Sequence, residues 1–299
     1  MASKAWWIEF PQMERESLVA LRKTLDGAYR EFSRSYGELI ETFFEPLLKF
    51  LVWFERILLN APWWVVLLAV CAFAFLASRS WKIVAGTIVA FLLIGYFGMW
   101  EDTMSTMSMI AVCTLLSIVL GVPIGILMAR SDRTQAVVTP LLDVMQTMPA
   151  FVYLIPVVML LGIGKVPGLI AVVIYAVPPV IRLTNLGIRL VDREVLEASD
   201  AFGASGWQRL VGVQIPLAFP TIMAGVNQTI MMALAMVVIA SMIGVQGLGQ
   251  PVLRSITNQY FTLGLLNGLA IVALAIIFDR VSQAYGKRLQ LQYKQPHHA

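Results

Sequence analysis

Long apolar runs broken by short polar stretches occupy the chain from about residue 61 onward, and their lengths decide the fold class. A helix rises 1.5 Å per residue, so about 20 apolar residues cross the hydrocarbon core of a bilayer. On that measure the pattern predicts seven spans, at 62–78, 82–100, 105–129, 141–162, 166–182, 218–243 and 262–279. Trp63, Trp64, Trp81 and Trp100 fall near predicted ends, where indole rings favour the headgroup level. Pro123, Pro149, Pro156 and the pair Pro178 and Pro179 fall inside spans and predict kinked or broken helices. The expected fold is therefore an all-α polytopic membrane protein with about seven transmembrane helices. Residues 1–60 lack a basic start followed by an apolar core, so they read as a retained segment rather than a signal peptide. Within them Phe43 to Leu59 keeps Glu45, Lys49, Glu55 and Arg56 among Phe, Leu and Trp, the pattern of a helix lying in the membrane interface. A helix packed on the side of the membrane domain is the alternative. The domain reading is thus 1–60 extracytoplasmic or interfacial, 61–284 transmembrane and 285–299 a cytoplasmic tail.

Composition agrees, with 59% hydrophobic and 13% charged residues against about 25% charged for a soluble domain. Cys71 and Cys113 lie in separate apolar runs without CxxC spacing, so they read as small buried hydrophobes. Both histidines, His297 and His298, are in the tail, which removes most acid–base and metal chemistry. The net charge of +4 is informative by position and does not suggest nucleic-acid binding. If the loop after Val191 faces the cytoplasm, that side holds Arg79, Lys82, Arg130, Arg133, Arg182, Arg189, Arg193, Arg209, Arg280, Lys287, Arg288 and Lys294, whereas the opposite short loops hold Lys165 and Arg254. That asymmetry predicts an external N-terminus and a cytoplasmic C-terminus.

The longest polar interruption runs from Val191 to Pro220. Val191, Val195, Ala198 and Phe202 recur at helical spacing, with Asp192, Arg193, Glu194, Glu197 and Asp200 on the remainder, which predicts a short amphipathic helix. Gly203 and Gly206 permit turns, and Trp207, Leu210 and Val211 predict a second short helix folded back on the first. Pro216 and Pro220 close the unit, Pro220 at the expected start of the next span. Such a unit suits docking to a partner in the aqueous phase. Gly203-Ala204-Ser205-Gly206 also spells the G-x-S-G of intramembrane serine proteases, but no histidine base exists in the apolar region, so a turn of small residues is preferred. Gly162-Ile163-Gly164-Lys165 lacks the Ser or Thr and the upstream glycine of a phosphate loop and reads as a turn between spans.

The residues of the polar island resemble the coupling motif of permease subunits in binding-protein-dependent ABC importers: Glu-Ala-Ala, three residues, Gly, nine residues, then Ile-x-Leu-Pro. Here Glu197, Ala198, Ser199, Gly203, Val213, Ile215 and Pro216 keep every spacing, with Ser199, Val213 and Ile215 as departures of similar size. Residues 140–168, 177–189 and 220–254 look like the branch of these permeases that imports glycine betaine, proline betaine, choline and related solutes. The resemblance covers most of 105–255 and little of 1–60.

The resemblance implies a type I ABC importer permease fold in a bacterial inner membrane. It further implies a permease homodimer, two cytoplasmic ATPases carrying the ATP and Mg, and an extracytoplasmic solute-binding protein. This chain then has no catalytic site and no cofactor of its own. In the coupling loop, 184–217, the resemblance assigns ATPase contact to Glu197, Ala198, Ser199, Phe202, Gly203, Ala204, Val213 and Pro216, with Glu197 capping or pairing inside the unit. Candidates for the translocation path or gate are Gln146, Phe151, Tyr153, Asn227, Gln228, Gly247 and Gly249, with helix–helix hydrogen bonds as the default account of the polar ones. Phe151, Tyr153 and Tyr175 could attract a quaternary ammonium by cation–π attraction, although core packing accounts for them more simply. Gly121 and Gly125, and Gly264 and Gly268, are spaced for close packing of helices within the chain. Two other functions stay open: a permease for another small solute such as an amino acid, and an ion-coupled secondary transporter. The scarcity of charge at mid-membrane depth disfavours the second.

Overall fold

Prolines, glycines and caps set where the helices begin and end in the computed structural model, which describes residues 12–294. In order these are α1 (Arg15–Asn60), α2 (Trp63–Ser78), α3 (Trp81–Tyr96), α4 (Trp100–Arg130), α5 (Asp132–Thr147), α6 (Ala150–Leu161), α7 (Lys165–Arg189), α8 (Arg193–Ala201), α9 (Gly206–Arg209), α10 (Ile215–Ala240), α11 (Gly249–Asn258) and α12 (Phe261–Lys294). No strand occurs among the described residues. Residues 1–11, and 295–299 with both histidines of the tail, lie outside them.

Each of the seven predicted apolar segments is helical, but they are not seven equivalent spans. Four helices, α4, α7, α12 and the run Gly206–Ile243 that contains α10, are individually long and apolar enough to cross a membrane. The predicted 141–162 span is two helices bent by 99°. Met148 takes the extended conformation that a following proline favours, and Pro149 then caps α6. α5 also starts well before 141, where Ser131 accepts a hydrogen bond from the Thr134 N–H. By contrast Pro123, Pro156, Pro178 and Pro179 stay inside continuous helices, so only Pro149 makes the expected break. α2 and α3 have 16 residues each, roughly 24 Å of helix against about 30 Å of hydrocarbon.

The N-terminal helix is far longer than Phe43–Leu59. α1 runs for 46 residues straight through Pro46 and meets α2 at 112°. Its last third packs on the bundle: Leu51 joins the central core, and Glu55 is buried against Lys165 at the start of α7. The rest stays largely exposed.

α7 is the central helix, buried along most of its length from Pro167 to Ile188. It lies between α4 and α10, and glycines set the separation. A Cβ on Gly121 would fall 2.4 Å from Val180 Cγ1, one on Gly125 2.7 Å from the Ile181 carbonyl oxygen, and one on Gly225 3.1 Å from the Val180 Cα. Lipid offers no hydrophobic drive between helices, so this close van der Waals contact carries the association. Gly264 packs likewise on Ser255 of α11, whereas Gly268 faces open space. α2, α3 and α12 form a second layer around Val66, Phe91, Ile94, Ala270 and Leu274.

Gly125→Leu is expected to destabilise the bundle by about 1–3 kcal/mol through overpacking. Gly268→Ala, whose methyl meets nothing within 4 Å, should be neutral or gain up to about 1 kcal/mol. Denaturant unfolding in mild detergent checks both.

Candidate functional site: an exposed helical unit at one end of the bundle

α8 begins where α7 stops. The Asp192 carboxylate caps it by accepting from the Glu194 N–H at 3.0 Å. At its other end Gly203 takes φ +75, the left-handed conformation that a Cβ disfavours. The Gly203 N–H donates to the Asp200 carbonyl at 2.9 Å and the Ala204 N–H to the Ser199 carbonyl at 3.2 Å. These two bonds form a Schellman closure, which accounts for Ser199, Gly203 and Ala204 through the backbone alone. Ser205 then opens α9 with a reciprocal capping box: its hydroxyl accepts from the Gln208 N–H, and its own N–H donates to Gln208 Oε1 at 2.8 Å.

Four expectations change here. Gly206 is not a turn but the first residue of α9, directly after the Ser205 cap. The second helix has only 4 residues before a π-turn at Leu210–Gln214 carries it into α10. In that turn the Ile215 N–H donates to the Leu210 carbonyl, and Pro216, which has no N–H, sits in the first turn of α10. Pro220, expected to open the span, is interior. Pairing inside the unit falls to Asp200, which accepts two bonds from Arg209 Nη1 at 2.9 and 2.7 Å, and not to Glu197, which is exposed. The turn chemistry of Gly203 was legible in the sequence. The Asp200–Arg209 pair was not, because the two residues are nine apart and meet only once the turn reverses the chain.

The unit rests on the bundle through Leu210, Val191, Ile188, Ala218 and Ile222, which form one buried cluster with Ile126 and Ala129 of α4 and Leu196 of α8 packed on it. Val213 and Pro216 are half-buried beside it. The opposite face turns outward: Val195 and Ala198 are exposed, Phe202 is 92% exposed and Trp207 66%. Large apolar groups presented on a short, doubly capped scaffold are what a protein docking surface requires.

Gly247 and Gly249 lie at the other end of the bundle. Gly247 takes φ +132 against Thr106, the Leu248 N–H donates to Thr106 Oγ1 at 2.9 Å, and a Cβ on Gly249 would collide with Ser241 Oγ. The Gly164 N–H of the α6–α7 turn donates to the Ile243 carbonyl at 3.0 Å. After this loop comes α11, an amphipathic helix that the run-length reading missed because only 10 residues form it. The remaining path candidates are not brought together within one chain. Gln146, Phe151 and Gln228 are exposed. Tyr153 is buried, donates its hydroxyl to the Met145 carbonyl and meets Tyr175 edge-on at 5.8 Å. Phe151, Tyr153 and Tyr175 therefore form no common cage. Asn227 donates to Asp279 Oδ1 at 3.1 Å and accepts from Ser282, so it ties α10 to α12.

Comparison with known proteins follows the same outline. The family model described as "Binding-protein-dependent transport system inner membrane component" matches residues 121–291. The glycine betaine/proline betaine transport system permease protein ProW of Escherichia coli K12 is 51% identical over 236 residues, covering 78% of this chain and 66% of that protein. Its Salmonella typhimurium counterpart is 52% identical and covered to 62%, so the chain spans less than two thirds of either. The glycine betaine/carnitine transport permease protein GbuB of Listeria monocytogenes is 47% identical and covered to 81%. An inward-facing structure of the MetNI methionine ABC transporter superposes with TM-score 0.57 at 19% identity, over 62% of this chain and 93% of that one, which shows a common fold.

Gly203→Ala forces a Cβ into the left-handed region at a cost of about 1 kcal/mol. Hydrogen exchange at the Gly203 and Ala204 amides should then speed up about fivefold, while amides of α7 keep their protection.

Proposed function

Because the chain belongs to the family of binding-protein-dependent transport system inner membrane components, we propose that it is the membrane permease of an ATP-driven importer for quaternary-ammonium compatible solutes such as glycine betaine. The observation that carries the coupling half of this reading is the α8–α9 unit: exposed, capped at both ends and seated on the ends of α4, α7 and α10. A rigid wedge of this kind converts movement of a bound ATPase into movement of the helices beneath it. Glu197, Ala198 and Phe202 offer the contact face, and Ser199, Gly203 and Ala204 hold its shape. The unit occupies the cytoplasmic end of the bundle, and the Gly244–Gln250 loop, at the opposite end, faces the binding protein. The N-terminal helix is then external and the C-terminal end of α12 cytoplasmic. Two copies face each other across α5 and α6, whose residues Val137, Leu141, Phe151 and Ile155 are apolar and exposed. The solute class follows the glycine betaine permeases that this chain resembles.

Vesicles holding this chain with its ATPase and binding protein are expected to take up glycine betaine only when ATP is supplied on the ATPase side. Uptake driven by an ion gradient without ATP overturns the reading, and a binding protein that retains only ordinary amino acids overturns the solute class. Gly203→Pro should abolish uptake while the chain still inserts into the membrane. A reporter after Lys294 should be cytoplasmic and one before Trp63 external.

A further inference from the structure

Arg189 lies three residues before the Asp192 cap of the docking unit, and its guanidinium touches three elements. Nε donates to Asn185 Oδ1 on its own helix at 3.1 Å, and Nη2 donates to the Met128 carbonyl in the last turn of α4 at 2.9 Å and to Asp132 Oδ1 on the first residue of α5 at 2.7 Å. Two turns earlier on α7, Arg182 pairs with Asp143 in the last third of α5. Two guanidinium–carboxylate rungs thus join the same two antiparallel helices. α4 needs no such link, since Ile126 and Ala129 already pack with Ile188 and Val191. α5 packs more lightly: Leu142 is its one fully buried residue, with Val138 and Met145 beside it against the cluster of Val177, Val180 and Ile181, and Val137, Leu141 and Val144 face away from the bundle. Ion pairs this exposed contribute little to folding stability, so stability does not account for placing both between α5 and α7.

We propose that Arg189 and Arg182 are positioning residues that make α5 follow α7 when the docking unit is displaced, an inference that rests on the ATP-driven reading above. Displacement of α8 moves the end of α7 through the short Leu190–Asp192 link. Packing carries α4 along; α5 is reached through Leu142 near its C-terminal end and through the two guanidinium groups, of which Arg189 holds the Asp132 end, next to the α8–α9 unit. Across the Met148–Pro149 break the Tyr153 hydroxyl grips the Met145 carbonyl, so a shift of α5 reorients α6. α6 ends at the Gly162–Gly164 turn, which is hydrogen-bonded to Ile243 just before the loop at the far end. Charge pairing at one membrane face is in this way connected to the loop at the other.

The test uses the complete transporter in vesicles, with ATP hydrolysed and glycine betaine taken up measured together. Arg182→Gln with Arg189→Gln is expected to keep hydrolysis within about twofold of wild type while uptake falls about tenfold, so ATP consumed per solute rises about tenfold. Exchanging the charges, Arg189→Asp with Asp132→Arg, remakes the rung but not the bonds to Met128 and Asn185, so ATP consumed per solute should return part of the way from its Arg189→Asp value, whereas a merely structural role moves hydrolysis and uptake together and leaves that ratio unchanged. If the arginine variants fail to insert, Asp132→Asn with Asp143→Asn removes the same rungs and is read by the same ratio. A wild-type ratio in the rung-less variants, a proportional loss of hydrolysis and uptake, or no rescue by the exchange overturns the proposal. Uptake by the unmodified transporter without ATP instead overturns the premise, whatever the variants do.

Discussion

Three helices touching backbone to backbone hold this protein together. α4 and α10 approach α7 from two sides: at Gly125 and Gly225 the α7 backbone lies where a Cβ would go, and at Gly121 the Val180 side chain fills that space. In water such contact would be one contribution among many. In lipid, where a leucine gains nothing by leaving the acyl chains for another helix, close approach is the main source of cohesion. It also explains how Pro178 and Pro179 survive inside α7: the helix is enclosed by protein along that stretch, and its neighbours keep it straight.

A stiff central triplet has a mechanical consequence. The α8–α9 unit sits on one end of the triplet through Val191, Leu210 and Ala218, and the Gly247–Gly249 loop sits on the other through Thr106 and Ser241. Closely packed interiors transmit displacement rather than absorb it. The two functional ends therefore need no contact with each other to be coupled. α5 and α6 are broken at Met148–Pro149, and there polar contacts add to the packing of Leu142, Tyr153 and Leu154.

The N-terminal region adds something the family model does not include. α1 to α3 precede residue 121, where the family match begins. Yet α1 buries Glu55 against Lys165 on the first residue of α7, beside the turn that bonds to Ile243. A buried pair of this kind is costly to break once formed, because either partner left alone is an uncompensated charge. α1 is thereby anchored to the core at the end opposite the docking unit.

Much of this was legible in one dimension. Run length marked every apolar segment, because the thickness of the hydrocarbon layer is a constraint outside the chain and acts locally. Gly203 announced its turn, and the spacing of Val191, Val195, Ala198 and Phe202 announced the short helix before it, because both depend on a few neighbouring residues. The sequence could not show which of several prolines would break a helix. Pro149 and Pro179 are the same residue, and only the neighbours differ: α7 is enclosed between two helices, while the α5–α6 junction lies open at the edge. Nor could it show that Asp200 rather than Glu197 pairs within the unit, that Asn227 ties α10 to α12, or that Arg189 reaches both Met128 and Asp132. Those are contacts between residues distant along the chain, and their partners are chosen by how helices pack, a matter that run length and spacing do not encode.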